Sequence, residues 1–259
     1  MFHGRTVVVA GAGPGLGEEV ARIVLREGGN AVLGARDEER VRAIARSLDP
    51  EGARTLALRC DIESAPDCEG LVAAALERFG RVDGLACVAA RIDVHGSIET
   101  TAIDGWRAVI ETNVIGTVQM LQAAIPALKQ RGGAVVIVGS QSEVQPKPAP
   151  TFIAYGASKA AMHAAVIYMA GQLGPAGVRV NRVVPSTMWT PTLEGFASHM
   201  AKEQGCSLDD VKARFSADMP LGRMPTGAET AEAIAFLLSD RASAITGQAL
   251  FVNSGEWMA

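Results

Sequence analysis

Seven short apolar runs constrain the chain more than any other feature: TVVVA at 6–10, NAVLGA at 30–35, RTLALRC at 54–60, GLACVAA at 84–90, AVVIVGS at 134–140, RVNRVVP at 179–185 and ALFVN at 249–253. Amphipathic stretches such as GEEVARIVLREG and ETAEAIAFLLSD lie between them. Strands too apolar to leave one face in water, alternating with helical patterns, specify a parallel sheet covered by helices on both faces. The expected fold is α/β, a doubly wound parallel sheet of about seven strands that binds ligands at the carboxyl ends of its strands. A length of 259 residues suits one such domain, spanning 1–259. The alternation breaks once, after Pro185, where helical pieces precede the last helix; residues 186–222 are read as a substrate lid or as a plain structural insertion.

The first run leads directly into a turn, AGAGPGLG, with glycines at 11, 13, 15 and 17. The spacing G-x-G-x-x-G fails because Leu16 and Glu18 stand where a third glycine is needed. What fits is G-x-x-x-G-x-G at Gly11, Gly15 and Gly17, a turn wide enough for pyrophosphate to sit on a helix N-terminus. Three readings compete: the phosphates of a dinucleotide, the amino-acid end of S-adenosylmethionine, or a tight turn with no ligand. A methyltransferase usually places an acidic residue two before the first glycine and another at the end of the second strand. Val9 and Ala35 occupy those positions.

Charge and cysteine usage exclude other classes. Lys and Arg total 24 against 28 Asp and Glu, a net charge of −4, with no block of like charges, so neither nucleic acid nor a polybasic membrane contact is expected. Cys60, Cys68, Cys87 and Cys206 show no C-x-x-C spacing, and His3, His95, His163 and His199 form no ligand pattern, so no metal is expected. No run has the length of a membrane span or a signal-peptide core. A cytoplasmic chain with small-molecule partners and copies of itself is the expectation.

Far downstream, YGASK sets Tyr155 and Lys159 four residues apart at the start of an apolar helix, and so on one face. The pair has a chemical purpose. A phenol with a pKa near ~10 is a poor base at neutral pH, and a neighbouring ammonium favours the phenolate.

With these residues in hand, the chain resembles the short-chain dehydrogenase/reductase family along its full length, from the glycine turn to ITGQALFVNSGEWM. The resemblance implies a Rossmann-like fold and an oxidoreductase passing hydride between a nicotinamide cofactor and an alcohol or ketone. In that family the Y-x-x-x-K pair acts with a serine at the end of the fifth strand and an asparagine in the fourth helix, matched here by Ser140 in VVIVGS and Asn113 in ETNVIGT. By position, Tyr155 is the general acid/base and Ser140 holds the substrate oxygen. Lys159 lowers the tyrosine pKa and holds the nicotinamide ribose, and Asn113 fixes a proton-relaying water. Ser142 competes with Ser140, because it stands at the family's common separation of thirteen before Tyr155. The same matching places Gly11, Gly15, Leu16, Gly17, Asp61, Ala89, Pro185, Met188 and Thr190 at the cofactor, together with Tyr155 and Lys159.

The departures are specific. The family's T-G-x-x-x-G-x-G has Ala10 for threonine, its N-N-A-G becomes Cys87 to Ala90 without either asparagine, and its P-G becomes Pro185 and Ser186. Adenosine-side contacts are therefore expected to be rebuilt or weakened, and a cofactor-binding pseudoenzyme is the alternative they keep open. At the end of the second strand Ala35 replaces the aspartate of NAD enzymes and Arg36 follows, so NADP(H) is favoured over NAD(H), through a charge-assisted bond to a 2′-phosphate. Substrate is expected to meet residues 91–95, Ser142 and the residues after it up to 153, and the apolar Met188, Trp189 and Phe196, which favours a hydrophobic secondary alcohol or ketone. The stretch 157–173 is apolar on nearly every side and must be buried all round, and the family packs this helix against a twin; a homotetramer or homodimer is expected.

Overall fold

A computed structural model describes residues 1–146 and 151–258. Its strands are β1 (Thr6–Ala10), β2 (Asn30–Ala35), β3 (Thr55–Arg59), β4 (Gly84–Cys87), β5 (Ala134–Val138), β6 (Arg179–Pro185) and β7 (Ala249–Val252). All six pairings are parallel, in the order β3-β2-β1-β4-β5-β6-β7. Each of the seven apolar runs is a strand, and the direction of the order reverses between β1 and β4, which opens a crevice there.

The helices are α1 (Leu16–Arg26), α2 (Glu38–Leu48), α3 (Ala65–Phe79), α4 (Ile103–Ile110), α5 (Thr117–Lys129), α6 (Ile153–Leu173), α7 (Pro191–Gln204), α8 (Leu208–Phe215) and α9 (Gly227–Leu238). Strand alternation divides the core into two layers. Val7 and Val9 of β1 pack with α1, α2 and α9, while Val8 and Ala10 face α3, α5 and α6. Both faces of the sheet are thus covered, and the loops leaving the carboxyl ends of the strands are free to carry chemistry.

Two expectations change shape here. Residues 186–222 contain α7 and α8, which bury Ala197, Ala201 and Val211 against each other with Trp189, Leu208 and Phe215 around them. The segment therefore has a small core of its own, and it is tied back by the Trp189 amide donating to the Pro225 carbonyl at 2.8 Å. Helix α6 is not buried all round within the chain. Ala154, Ser158, Lys159, Met162, Val166 and Ala170 are covered, whereas Ile167 and Tyr168 stand exposed, because the sheet and its flanking helices reach only one side.

Candidate active site

The glycine turn divides its labour. A Cβ on Gly11, at φ +100°, would lie 2.2 Å from the Ala89 amide nitrogen, and one on Gly17 would lie 2.3 Å from the Gly11 carbonyl. These two glycines let β1, α1 and the segment after β4 close on one another. Over Gly13 and Gly15 nothing lies within 4 Å, and α1 begins after Gly15 without a side-chain cap. In its first turn the Glu18 amide donates to the Gly13 carbonyl at 3.2 Å, which leaves the amides of Leu16 and Gly17 as the donors an anion could use. The missing asparagines have not loosened this region: Val88 and Ala89 both donate their amides to the Ala10 carbonyl, at 2.8 and 2.9 Å, so the backbone supplies the brace.

Arg36 stands exposed just beyond β2, with no hydrogen bond or ion pair among the described residues, while Asp37 caps α2 by accepting the Arg40 amide. Asp61, beyond β3, accepts the Glu63 amide at 3.2 Å. Pro185 closes β6, and the next residue, Ser186, has a buried hydroxyl without a partner. Thr190 caps α7 by accepting the Leu193 amide, and Met188 packs against the core layer of α1 and α9. Open glycines, an uncapped helix start, a free arginine and an orphaned hydroxyl fit an elongated, anionic dinucleotide laid along the crevice.

At the far end of the crevice the acid/base candidates meet. Tyr155, in the first turns of α6, has its phenol near Ser140, beyond β5, whose side chain favours the phenolate. The Ser140 and Ser142 hydroxyls are 2.8 Å apart, and the Ser142 amide donates to the Ser140 oxygen at 3.3 Å. Ser140 thus lies beside the phenol, with Ser142 behind it. Lys159 Nζ donates to the Val138 carbonyl at 2.7 Å and lies 5.6 Å from the centre of the Tyr155 ring.

A family model described as enoyl-(acyl carrier protein) reductase matches residues 11–256. The chain belongs to that family, one of the short-chain dehydrogenases/reductases. It is 33% identical to 3beta-hydroxysteroid dehydrogenase 1 of Eggerthella lenta, over 98% of this chain and 94% of that protein. L-sorbose reductase from Gluconobacter frateurii, solved with NADPH and L-sorbose, superposes with a TM-score of 0.93 at 27% identity, covering 100% of this chain and 98% of that one. The 3-ketoacyl-(acyl-carrier-protein) reductase from Brucella melitensis, solved with NADH, gives 0.85 at 29% identity over 99% of each. This short-chain dehydrogenase/reductase is therefore an oxidoreductase of CH–OH and C=O groups that uses a nicotinamide dinucleotide. The methyltransferase reading of the glycine turn falls with that result.

The electrostatics of the short-chain dehydrogenase/reductase site correct one expectation. Burial pushes the Tyr155 phenol up to about 12, against the pull of Ser140 and with Glu143 adding to the rise. Burial also brings the Lys159 ammonium down to about 8, which Glu143 and Cys87 oppose. The ammonium lies over the ring and spends a proton on Val138, so in the chain alone desolvation wins at both groups.

Asn113 lies in a π-helical turn, Glu111–Gly116, a local widening of the helix that often accompanies functional sites. Its side chain makes three of its four possible hydrogen bonds, one acceptor position of Oδ1 remaining. Oδ1 accepts the Arg91 amide at 2.7 Å, and Nδ2 donates to the Arg91 carbonyl at 3.0 Å and to Ser158 Oγ at 2.9 Å. Ser158 in turn donates to the Tyr155 carbonyl at 2.7 Å, so Asn113 fixes the backbone of the tyrosine. The main-chain carbonyl of Asn113 accepts the Thr117 hydroxyl at 2.9 Å.

The expected substrate residues scatter. Trp189 belongs to the core between α7 and α8 with its ring 4.7 Å from Lys212 Nζ, and Phe196 is exposed, because the buried side of α7 is the stripe of Ala197 and Ala201. His95 is exposed and stacks on Phe152 at 4.9 Å between ring centres, where the Gly96 amide donates to the Thr151 carbonyl and joins the loop after β4 to the approach to α6. Of the loop before Tyr155, 147–150 lie outside the described residues.

Sequence reasoning passed over Glu143 and Arg182. They form an ion pair with neither side chain more than 2% exposed. A charge inside RVNRVVP, a strand buried on both faces, signals that a buried partner must exist.

Proposed function

We propose that this enzyme interconverts a hydrophobic secondary alcohol and its ketone with NADP(H), with Tyr155 as general acid/base. The observation that carries the reading is the Tyr155 phenol beside Ser140, on a helix that presents Lys159 one turn on with its Nζ 5.6 Å from the centre of the ring. When bound, the nicotinamide accepts or supplies the hydride. The chain's own work is to orient and to move a proton. Ser140 and Tyr155 converge on one point, so a substrate oxygen there is held by both hydroxyls, and the phenol gives its proton to that oxygen on reduction or takes it on oxidation. Ser142 steadies Ser140, and Ser158 with Asn113 steadies the first turn of α6.

A 2′-phosphate is favoured by Arg36, an exposed guanidinium without a partner among the described residues, which follows Ala35, the position at the end of β2 where an NAD enzyme places an aspartate. A hydrophobic substrate is favoured by the apolar rim of the loops that meet at Gly96 and Phe152, where Ile92 is half exposed. The hydroxysteroid dehydrogenase relative supports the same class; the sorbose reductase favours a polyol. Oxidation of cyclic secondary alcohols and of ketoses or alditols, followed as nicotinamide absorbance with both cofactors, separates them. Turnover confined to sugars and polyols would overturn the substrate class.

We also propose a homo-oligomer that covers the open side of α6, where Ile167 and Tyr168 are exposed. Sedimentation as a 27.0 kDa monomer at micromolar concentration would contradict it.

A further inference from the structure

The proton chemistry proposed above uses Ser140, Tyr155 and Lys159, yet the most deeply buried charge beside them has no part in it. Glu143 ends the short 3-10 turn Gln141–Glu143 that Ser140 caps. Its side chain is wholly shielded from solvent. Oε1 is bound by Arg182 of β6 and faces His163 Nδ1 of α6 at 3.7 Å, while Oε2 is buried without a hydrogen-bond partner among the described residues.

The placement is built from both sides. A Cβ on Gly139 would come within 3.1 Å of Glu143 Oε2, so glycine there makes room for the carboxylate. A Cβ on Gly156 would come within 3.1 Å of the Ser142 carbonyl, so glycine beside Tyr155 lets the turn rest on α6. Along α6, Tyr155, Lys159 and His163 follow one another at four-residue steps and share the face that the turn meets. The titratable and charged groups around Glu143 are thus Arg182 from β6, and Tyr155, Lys159 and His163 from α6.

We propose that Glu143 is a positioning residue for this site: locked by Arg182, it holds the Ser140–Ser142 turn against α6 and keeps a buried negative charge beside the Tyr155–Lys159 pair. A carboxylate without water acts on its neighbours through a low dielectric, and a negative charge disfavours the phenolate while favouring the ammonium. Its contribution at both residues has that sign. The inference rests on Tyr155 being the acid/base.

The chain has two tyrosines, and Tyr168 is 73% exposed, so a Tyr168→Phe background leaves Tyr155 as the sole phenol. Its ionisation is then read directly as tyrosinate absorbance against pH, with no substrate. In that background Glu143→Gln removes the negative charge, and Tyr155 is expected to begin ionising at least about half a pH unit lower. The paired variant Glu143→Gln with Arg182→Met leaves no unpaired charge and carries the same expectation should the single variant not fold. An onset unchanged in the folded variants, or failure of both to fold, would reduce Glu143 to a structural clamp and overturn the proposal. A Tyr155→Phe enzyme that kept its turnover would instead overturn the catalytic reading, whatever the titration gave.

Discussion

Lys159 Nζ donates to the carbonyl of Val138 at 2.7 Å, which fastens α6 to the end of β5 and places an ammonium where almost no water reaches it. The contact does not repay the burial, since the ammonium is brought from 10.5 down to about 8. A fall of that size corresponds to roughly 3 kcal/mol against folding while both states are protonated. Lys159→Met should therefore stabilise the protein at pH 7, by about 1–3 kcal/mol once the lost hydrogen bond is set against it. The sign follows from the unfolded chain binding more protons between pH 8 and 10.5, so wild-type stability rises across that window and the advantage of methionine fades. Urea unfolding of both proteins at pH 7 and pH 10 checks this; a less stable variant at pH 7 would contradict it.

The Glu143–Arg182 pair predicts the opposite kind of effect. Arg182→Met leaves a buried carboxylate uncompensated and should cost about 3–5 kcal/mol. Adding Glu143→Gln to it should recover most of the loss, as the two residues are in contact and their effects are not additive. Thermal unfolding of the single and double variants measures the coupling, and strictly additive losses would mean the pair is not held together in the folded protein.

Gly11 and Gly13 separate packing from ligand approach. Gly11→Ala drives a methyl group into the Ala89 backbone from a positive φ, and should cost more than about 2 kcal/mol of stability. Gly13→Ala meets nothing in the chain and should fold with stability within about 0.5 kcal/mol of wild type. Its affinity for the dinucleotide should nevertheless fall, because the proposed path of the phosphates runs over the open glycines of this turn. Unimpaired cofactor binding by Gly13→Ala would move the phosphates elsewhere.

How much of this was legible in the residues follows from what each signal constrains. Strands buried on both faces leave one arrangement of an alternating chain, so TVVVA, AVVIVGS and their fellows could be placed before any coordinates. The Y-x-x-x-K spacing likewise puts Tyr155 and Lys159 on one face of α6. Spacing does not report burial, and burial raises the Tyr155 phenol and lowers the Lys159 ammonium. Nor does an apolar residue declare which side it faces: Trp189 looks the same in sequence whether it lines a cleft or fills the core between α7 and α8. Asn113 was visible by its order in the chain, but its hydrogen bonds to Arg91 and Ser158 are made from a π-turn that leaves no sequence mark. Glu143 and Arg182 are 39 residues apart, and only the pairing of β5 with β6 brings them together.

Arg36 decides between the two dinucleotides. Arg36→Ala should weaken binding of NADP(H) by about 1.5–3 kcal/mol, the range for hydrogen bonds to charged groups, and should spare NAD(H). Fluorescence titration of both reduced cofactors against wild type and variant gives the comparison. Equal losses for the two, or a wild type that binds NAD(H) more tightly, would mean that Arg36 stacks on adenine or faces solvent.

The central claim is that the Tyr155 hydroxyl moves the proton that accompanies hydride transfer, and Tyr155→Phe removes that hydroxyl while leaving the ring that packs under Lys159. The decisive measurement pairs NADPH binding with turnover on the best alcohol or ketone of the panel. The variant should bind the cofactor within about threefold of wild type and lose turnover by the roughly 10²–10⁴-fold that general acid–base catalysis supplies. Turnover retained within tenfold, with the cofactor bound as in wild type, would contradict the account.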